Sequence, residues 1–445
     1  MAVKSYVLPA DFDQEGFLED IMAARNAVGE ATEADARHLQ RLVLITRLSL
    51  VVGYVLLAVV ALEPGRATGL MLLCGAIAAA AISLARCMSW TIIGHHISHG
   101  GYDKVQKVAP GVLSPQYRRG TFAVGFLRRC LDWLDWMLPQ AWDFEHNKLH
   151  HYHLSEDKDP DLVERNFELL HKMPLPMFIK YVSMVFWIFT WKVTYYSPGT
   201  FKELQFSKSK SWLCQNWPTT RRKTDPVTVP ELFVVLPLLS LVKMRPKEFL
   251  YWIVYAAMWL LSIVPMIAAV FLPSILPLTL GALNAWPFAA APGAVAWRAL
   301  AMGLAAEAFT NAHSFIIIAC NHSGSDLYRY STPCKAYSAE WFLRCAYSSS
   351  NFECGTELVD ISYGWLNYQA EHHMFPDMTP LQYRKLQPLI KSVFAKHGAM
   401  YVQENGLKRT WKMLQVAVGA TSMKQCSSLL PPRDGTPVAE TLIGG

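Results

Sequence analysis

Three short stretches of the chain contain closely spaced histidines, and together they hold nine of the fourteen in the sequence. The first stretch reads HHISH and contains His95, His96 and His99. Residues four apart lie on one face of an α-helix, so His95 and His99 are predicted to bind one metal ion while His96 points elsewhere. The spacing therefore indicates a metal site rather than a set of isolated histidines.

The second stretch, HNKLHHYH, repeats the four-residue spacing with His146 and His150. The next residue, His151, lies about 100° further round an α-helix. This offset predicts that His151 reaches a second metal ion. His153, at the end of the stretch, is interpreted like His96 as a neighbour that makes hydrogen bonds.

The third stretch, NYQAEHHMFP, places two adjacent histidines, His372 and His373, three and four residues after Gln369. One metal ion commonly takes about four to six ligands, and the three stretches offer more imidazoles than that. The sequence therefore predicts two metal ions. Imidazole suits zinc, copper, iron or nickel, and the spacing alone does not choose between them.

Carboxylates near these stretches are predicted to accept hydrogen bonds from metal-binding imidazoles and so fix the orientation of each ring. The alternative is that each carboxylate is merely solvated. The lone histidines His38, His171 and His397 are interpreted as ordinary surface or hydrogen-bonded residues. The candidate carboxylates are Asp103, Asp157, Asp159, Asp161 and Glu371.

Long apolar segments must position these stretches. The chain is 52% hydrophobic and only 17% charged, which is typical of a membrane protein. Residues 42–62, 69–93, 249–272 and 296–320 are each long enough to cross a bilayer. Residues 177–196 contain two lysines and residues 274–291 contain prolines, so both are doubtful as spans, and residues 177–196 are interpreted as interfacial or as half of a re-entrant pair. The predicted fold is an all-α integral membrane protein with about four transmembrane helices and a histidine-bearing cytosolic cap.

The order of the predicted spans brings the histidine stretches to one side of the membrane. One pair of spans precedes the first stretch and another pair precedes the third. Residues 198–248 are rich in lysine and arginine whereas residues 273–295 are uncharged, so the positive-inside rule places the histidines in the cytosol. The acidic first forty residues argue against a signal peptide. The expected organisation is a cytosolic segment 1–41, a membrane domain 42–400 and a C-terminal segment 401–445, disordered from about residue 421.

Other classes of protein are less consistent with these features. The formal charge of +6 is not concentrated in a basic, aromatic module, so no nucleic-acid partner is expected. Nine cysteines occur without a CxxC pair, which argues against a disulfide framework or a thiolate metal site. A histidine-lined metal transporter would place its ligands within the spans, whereas these stretches lie at or beyond span ends.

The motifs HxxxH, HxxxHH and QxxHH, in this order and with this arrangement of spans, resemble the membrane fatty acid desaturase superfamily. The QxxHH form is similar to that of front-end and sphingolipid desaturases. The likeness extends through residues 150–162 and 348–376, and it covers about residues 94–398. It implies an oxidoreductase of unsaturated fatty acid biosynthesis that uses two iron ions and O2 on an acyl-lipid or acyl-CoA substrate. A hydroxylase or a sphingoid-base desaturase on the same scaffold remains an alternative.

The resemblance also implies which residues bind the irons. Many relatives have a further histidine ligand after the last span, and the sequence ACNHSGSD indicates His322 for that role, with Asn321 as a water-bridged ligand or spacer. Gln369 is expected beside the metals. The implied ligands are His95, His99, His146, His150, His151, His322, His372 and His373.

Electrons are expected from a separate protein, because many relatives contain a fused cytochrome b5 with an HPGG motif and this sequence contains none. Cytochrome b5 with its reductase, or ferredoxin, is the expected donor, and the endoplasmic reticulum membrane is the expected location. The donor is predicted to dock on a basic cytosolic surface that includes some of Lys104, Lys107, Arg118, Arg119, Arg221, Arg222 and Lys223.

The fourth predicted span contains polar residues on one side of an apolar helix: Glu307, Thr310, Asn311 and Ser314, with His313 beside them. Polar groups in a span are costly unless they face the protein interior or water. Glu307, Asn311 and His313 are therefore predicted to line the substrate cavity. The alternative is that they form hydrogen bonds that hold helices together.

Overall fold

The computed structural model describes residues 6–63, 68–285 and 291–431. Four helices in these residues are long and apolar enough to cross a membrane, which confirms the predicted all-α membrane fold. The first is α2, Glu33–Leu62, and the second is α3, Gly69–Cys87, which continues through a π-helix, Met88–Gly94, into α4, His95–Ser98. The others are α14, Pro246–Ala282, and α15, Pro292–Ile318, which ends in a 3₁₀ turn, Ala319–His322.

These four helices pack side by side, α2 on α3, α3 on α15, and α15 on α14. Small residues allow the close approach. A Cβ atom added at Gly53 of α2 would lie 2.5 Å from Ile82 Cγ1 of α3, and one at Gly303 of α15 would lie 3.2 Å from the carbonyl oxygen of Val270. Large apolar side chains such as Leu72 and Leu261 remain exposed on the outer faces. Small residues inside and apolar residues outside are typical of helices packed in lipid.

The two apolar runs that were doubtful as spans take different forms. Residues 274–282 are not a separate segment, because α14 continues through them despite Pro265, Pro273 and Pro277. Prolines are tolerated in membrane helices where neighbouring groups satisfy the freed backbone. Residues 286–290 lie outside the described residues. The other run forms α10, Met177–Trp191, which packs along α15 and is not among the four helices of spanning length.

Shorter helices connect these elements. They are α1 (Gln14–Val28), α5 (Gly101–Val108), a 3₁₀ turn (Pro115–Tyr117), α6 (Phe126–Asp132), α7 (Pro139–Phe144), a π-helix (Glu145–His150), α8 (Val163–Asn166), α9 (Glu168–Lys172), a π-helix (Lys192–Tyr196), α11 (Ser197–Ser207), α12 (Trp212–Gln215), a π-helix (Glu231–Val235), α13 (Leu236–Val242), α16 (Ala339–Tyr347), α17 (Glu357–Ser362), α18 (Gln369–Met374), α19 (Pro380–Lys396) and α20 (Gly406–Ala417).

The N-terminal helix α1 belongs to the domain that bears the histidines. Its buried Phe17 meets Phe394 of α19 with ring centroids 5.3 Å apart. The same hydrophobic core includes Met374 of α18 and Phe342 of α16. Segment 6–31 therefore covers part of the histidine-bearing cap.

The segment that follows residue 420 is ordered as far as the structure describes it. Strand β2, Lys424–Cys426, pairs in parallel with β1, Tyr328–Tyr330. Leu429 is buried, and its carbonyl oxygen accepts hydrogen bonds from the backbone of Val7 and Leu8. The predicted disorder is therefore wrong for residues 421–431, because the apolar residues in this polar segment find a core. Residues 432–445 lie outside the described residues.

Candidate metal centre

Four short segments bring the predicted ligands together. Helix α4 follows the second long helix, and the 3₁₀ turn Ala319–His322 follows the fourth. The π-helix Glu145–His150 and α18 complete the site from the cap. All eight predicted ligand histidines are buried, and their ring nitrogens converge in two groups.

The first group, called here the five-histidine group, consists of residues whose ligand atoms lie within 4.8 Å of one another: His95, His99, His146, His151 and His372. The Nε2 atom of His95 lies 2.9 Å from Nε2 of His372 and 2.9 Å from Nε2 of His146. His151 Nε2 lies 3.1 Å from His146 Nε2. Such convergence of lone-pair donors suits a single metal ion.

The second group, called here the three-histidine group, consists of His150, His322 and His373, again within 4.8 Å. The side-chain amide nitrogen of Gln369 lies 2.8 Å from His322 Nε2 and 3.2 Å from His373 Nε2. Gln369 is therefore a neighbour of this group and not of the other. Asp161 also offers an oxygen within 4.8 Å of His146 and His150.

The structure divides the second stretch differently from the prediction. His146 was predicted to share a metal ion with His150, and His151 to reach the other; instead His146 and His151 belong to one group and His150 to the other. The cause is the π-helix, in which the backbone N–H of His151 donates to the carbonyl of His146, five residues earlier. A π-helix brings residues five apart to the same side.

Burial keeps most of these imidazoles neutral. It lowers the pKa of His146, His151, His372 and His373 well below the usual value. His150 differs, because the lowering effect of burial is opposed by the carboxylates of Asp159 and Asp161, which together raise the pKa of this histidine. A neutral imidazole has a lone pair available, so the site favours a metal ion over protons.

One predicted carboxylate orients a ligand. His150 Nδ1 donates to Asp159 Oδ1 over 2.9 Å, and Asp159 is fixed by the backbone N–H groups of Ser155 and Asp161. Asp161 lies further from the ring, with Oδ2 3.9 Å from His150 Nδ1. A carboxylate bonded to a ligand imidazole fixes its tautomer and raises its basicity.

The other predicted neighbours have different contacts. Glu371 accepts from Asn351 Nδ2 and from the Tyr401 hydroxyl, not from a histidine, and burial raises its pKa to about 7. Asn321 Nδ2 donates to the carbonyl oxygens of Ile317 and Leu366. Asn321 therefore ties the 3₁₀ turn to the backbone near the third stretch.

Sequence reasoning missed one partner. The hydroxyl of Tyr383, on α19, lies 3.2 Å from His372 Nδ1 and donates to the carbonyl of Phe375. No spacing signal links Tyr383 to the third stretch, since it lies eleven residues beyond His372. His96 and His153 make hydrogen bonds to the Ile92 carbonyl and to Glu156, away from both groups.

An aromatic cavity opens onto both groups. It contacts His95 and His146 of the five-histidine group and His150 and His322 of the three-histidine group, together with Gln369. Its other walls are mostly apolar and include Trp90, Trp142, Trp187, Trp191, Tyr195, Tyr196, Phe315 and Ile318. The cavity thus combines an apolar interior with a histidine-lined end.

The polar stripe of α15 does not line this cavity. Glu307 accepts from Arg86 over 2.9 Å, from Trp136 Nε1 over 2.6 Å and from Asn311 over 2.8 Å. The Asn311 side-chain oxygen accepts from the Lys192 backbone N–H. These contacts tie α15 to three neighbouring segments, those that contain Arg86, Trp136 and Lys192.

His313 also lies outside the described lining of the cavity, and its Nε2 donates to the carbonyl of Ser362. The substrate-lining role predicted for Glu307, Asn311 and His313 is therefore replaced by the alternative, that of holding segments together. The α15 residues that do contact the cavity are Phe315 and Ile318, further along the helix.

The four long helices, the two buried histidine groups and the aromatic cavity define an all-α membrane protein with a candidate two-metal centre. The model of the fatty acid desaturase family matches residues 68–405. The chain therefore belongs to the fatty acid desaturase family. The matched range contains all eight histidines of the two groups.

Three similar proteins each match a part of the chain. Fatty acid desaturase 2-like protein FADS2B of Mus musculus is 51% identical over 45 residues, 10% of this chain and 9% of that protein. Fatty acid desaturase 3 of Bos taurus is 49% identical over 43 residues, 10% of each chain. NADPH-dependent stearoyl-CoA 9-desaturase of Mycobacterium tuberculosis is 27% identical over 128 residues, 28% of this chain and 30% of that protein. These matches span less than a third of each relative, and no solved structure matches the chain.

Proposed function

We propose that this protein is an O2-dependent acyl desaturase that removes two hydrogens from adjacent methylenes of a fatty acyl chain. The aromatic cavity that ends on both histidine groups carries this proposal. An acyl chain presents only C–H bonds, so a site for it needs an apolar wall along its length and a strong oxidant at one point. Both features adjoin here.

The donor set fits two iron ions. The two groups offer five and three imidazoles, and imidazole is a suitable ligand for iron. Iron bound there would supply the O2 activation and hydrogen abstraction that no acid or base side chain can provide. Each turnover would combine O2 with two hydrogens of the acyl chain, two electrons and two protons, and would release two molecules of water.

The side chains of the cavity have a separate task. The walls of Trp90, Trp142 and Trp191 hold the acyl chain and exclude water. Rigid aromatic walls restrict which methylenes approach the histidine groups, and such positioning is a large part of enzymatic rate enhancement. Asp159 holds His150 in one orientation. The chain thus contributes positioning and a dry site.

The membrane setting supports a lipid-borne substrate. Four helices of spanning length support a centre beside the bilayer, within reach of acyl-lipid or acyl-CoA substrates. We propose the endoplasmic reticulum membrane, with the histidine groups facing the cytosol and a separate donor, cytochrome b5 or ferredoxin, supplying electrons. A metal transporter is disfavoured, because the histidines converge in two compact groups instead of lining a path along the helices.

The test is to purify the protein in lipid nanodiscs, measure metal content and assay product with a reduced donor. We expect about two irons per chain and a new double bond by mass spectrometry of the acyl products. A His153→Ala variant is the matched control, since this histidine lies outside both groups. A hydroxylated product would favour the alternative oxidation, and absence of iron from active protein would contradict the proposed centre.

A further inference from the structure

The 3₁₀ turn that ends at His322 is held on both sides by helix α20 of the C-terminal segment. Before the histidine, the thiol of Cys320 donates to the Thr410 hydroxyl over 3.4 Å. After the histidine, Arg409 Nη2 donates to the carbonyl oxygen of Ser323 over 2.8 Å. Contacts from α20 therefore flank this member of the three-histidine group directly.

Arg409 is fully buried, and its partners explain how the charge is tolerated. Its Nη1 donates to both carboxylate oxygens of Asp326 over 2.8 Å each and to Glu404 Oε2 over 3.3 Å. A buried charge is stable only where it is paired and hydrogen-bonded. Asp326 lies four residues after His322, so one guanidinium group binds two points of the same loop, Asp326 and the Ser323 carbonyl. The planar fork of arginine suits two such contacts, whereas the ammonium of lysine does not.

The loop between these two points approaches the guanidinium closely. A Cβ atom added at Gly324 would lie 2.5 Å from Arg409 Nη2 and 2.6 Å from Asp326 Oδ1. Glycine permits this approach because it has no side chain. The 3₁₀ turn ends at Ser323, and the last carbonyls of a helical turn need a donor from elsewhere. Arg409 provides that donor at the peptide next to His322.

The same helix forms part of the wall of the aromatic cavity. Met413, four residues after Arg409, lines the cavity that His322 also lines. Trp411 stacks on Tyr181 of α10, with ring centroids 5.6 Å apart. Helix α20 lies directly after the range that the family model matches. A helix beyond that range thus contacts both a candidate metal ligand's turn and the cavity beside it.

We propose that Arg409 is a positioning residue for the metal ligand His322. The proposal rests on the proposed function, because it requires an ion at the three-histidine group. Arg409 acts through the Ser323 carbonyl, which fixes the peptide after His322 and therefore the direction in which the imidazole enters the group. Metal affinity depends on ligands held in place by the groups around them. Loss of Arg409 weakens the three-histidine group and leaves the five-histidine group unchanged.

The experiment measures the affinity of the full chain in nanodiscs for ferrous iron, by competitive chelation without oxygen. Arg409→Gln removes the charge, whereas Arg409→Lys keeps it without the fork. Lys412→Gln is the matched control, because the Lys412 ammonium pairs with the same two carboxylates, Asp326 and Glu404. Arg409→Gln should lower the affinity for one of two ions about tenfold or more, the low end of effects for groups that orient ligands. Arg409→Lys should show a smaller loss, and Lys412→Gln should match the wild type.

Two further backgrounds identify the ion that is affected. His372→Ala impairs the five-histidine group, and His373→Ala impairs the three-histidine group. Arg409→Gln should weaken binding of the ion that remains in the His372→Ala protein and should not change binding of the ion that remains in the His373→Ala protein. Changes at independent sites add, whereas changes within one site do not, so the comparison locates the effect of Arg409.

A purely structural role for Arg409 gives a different result. It would lower the unfolding temperature of the metal-free protein and weaken both ions alike, and that outcome would overturn the proposal. Wild-type affinity in folded Arg409→Gln, or an equal loss in Lys412→Gln, would also overturn it. If Arg409→Gln does not fold, Arg409→Lys decides, and wild-type affinity in that variant would contradict the positioning role.

The measurement also separates this role from the proposed function. A wild-type chain that binds no ion at the three-histidine group would overturn the positioning role. Selective loss of affinity at this group, in a chain that forms no unsaturated product, would support the role of Arg409 and defeat the proposed function alone.

Discussion

The two histidine groups use the same kind of ligand but differ in what holds the ligands in place. In the three-histidine group, His150 is bonded to the Asp159 carboxylate, and the Gln369 amide adjoins both other histidines. In the five-histidine group, the acceptors are neutral: the Thr91 carbonyl for His95 and the Tyr383 hydroxyl for His372. The group with fewer imidazoles therefore has the charged support.

This difference suggests how a site could hold two ions of one metal with unequal sets of imidazoles. A carboxylate that accepts from a ligand imidazole makes that ligand more basic and fixes its ring. Asp159 can thus compensate for the smaller number of histidines beside it. Tyr383 and Thr91 supply orientation without charge. Variants that remove each support in turn will show whether this interpretation is correct.

The largest effect is expected from removal of a ligand. His372→Ala and His373→Ala each remove one imidazole, from the five-histidine and three-histidine groups respectively. Each should lower bound iron toward one per chain and reduce product by at least about a hundredfold, because an open, misplaced ion cannot support the reaction. Iron analysis and product assays check this. Full iron and activity in both variants would disprove the assignment, and His153→Ala should behave as the wild type.

A smaller but selective effect is expected for Asp159→Asn. The change keeps the shape but removes the charge that supports His150, so metal affinity or activity should fall about 10- to 100-fold. In metal-free protein the pKa of His150 should also fall, since Asp159 contributes more than Asp161 to raising it. Metal titration and histidine NMR measure the two effects. The exposed neighbour Asp157 provides the control, Asp157→Asn, and equal losses in both variants would contradict the role given to Asp159.

The neutral support in the other group should matter less. Tyr383→Phe removes the hydroxyl that lies 3.2 Å from His372 Nδ1 and that donates to the Phe375 carbonyl. Activity should fall by less than about tenfold, toward the low end of the range for groups that orient metal ligands. Thermal unfolding should be compared, because Tyr383 is fully buried. A larger loss than that of Asp159→Asn would reverse the ranking of the two supports.

The sequence was sufficient to predict the number of long helices and to identify the histidines that converge. Four apolar segments and three histidine stretches are strong signals, since the bilayer sets a length and the spacing sets a face. The family resemblance indicated His322 as a ligand, and the structure brings this histidine together with His150 and His373. These features depend on residue type and local spacing, which a sequence displays directly.

The division of histidines between the groups could not be predicted, because it depends on a π-helix. A single extra residue per turn moves His151 to the side of His146, and no residue type in that stretch signals it. The substrate-lining role predicted for the polar stripe of α15 was not met for a related reason. Glu307 is polar in an apolar span, but its partner Arg86 lies 221 residues away, so its role depends on tertiary contact.

The smallest effect is expected at Gln369, the position at which the wider superfamily has a histidine. Gln369→His would place a fourth imidazole beside the three-histidine group, where the amide now lies 2.8 Å from His322 Nε2. Because the site is buried and imidazole and amide are of similar size, product formation should stay within about threefold of the wild type. Metal affinity in this group should rise while that of the five-histidine group stays unchanged, as competitive chelation would measure. Gln369→Leu, which has no nitrogen or oxygen to offer, is the matched contrast and should lower affinity. If Gln369→His instead abolished activity without loss of iron, the amide itself would be needed at this position, and the two groups would differ in function as well as in support.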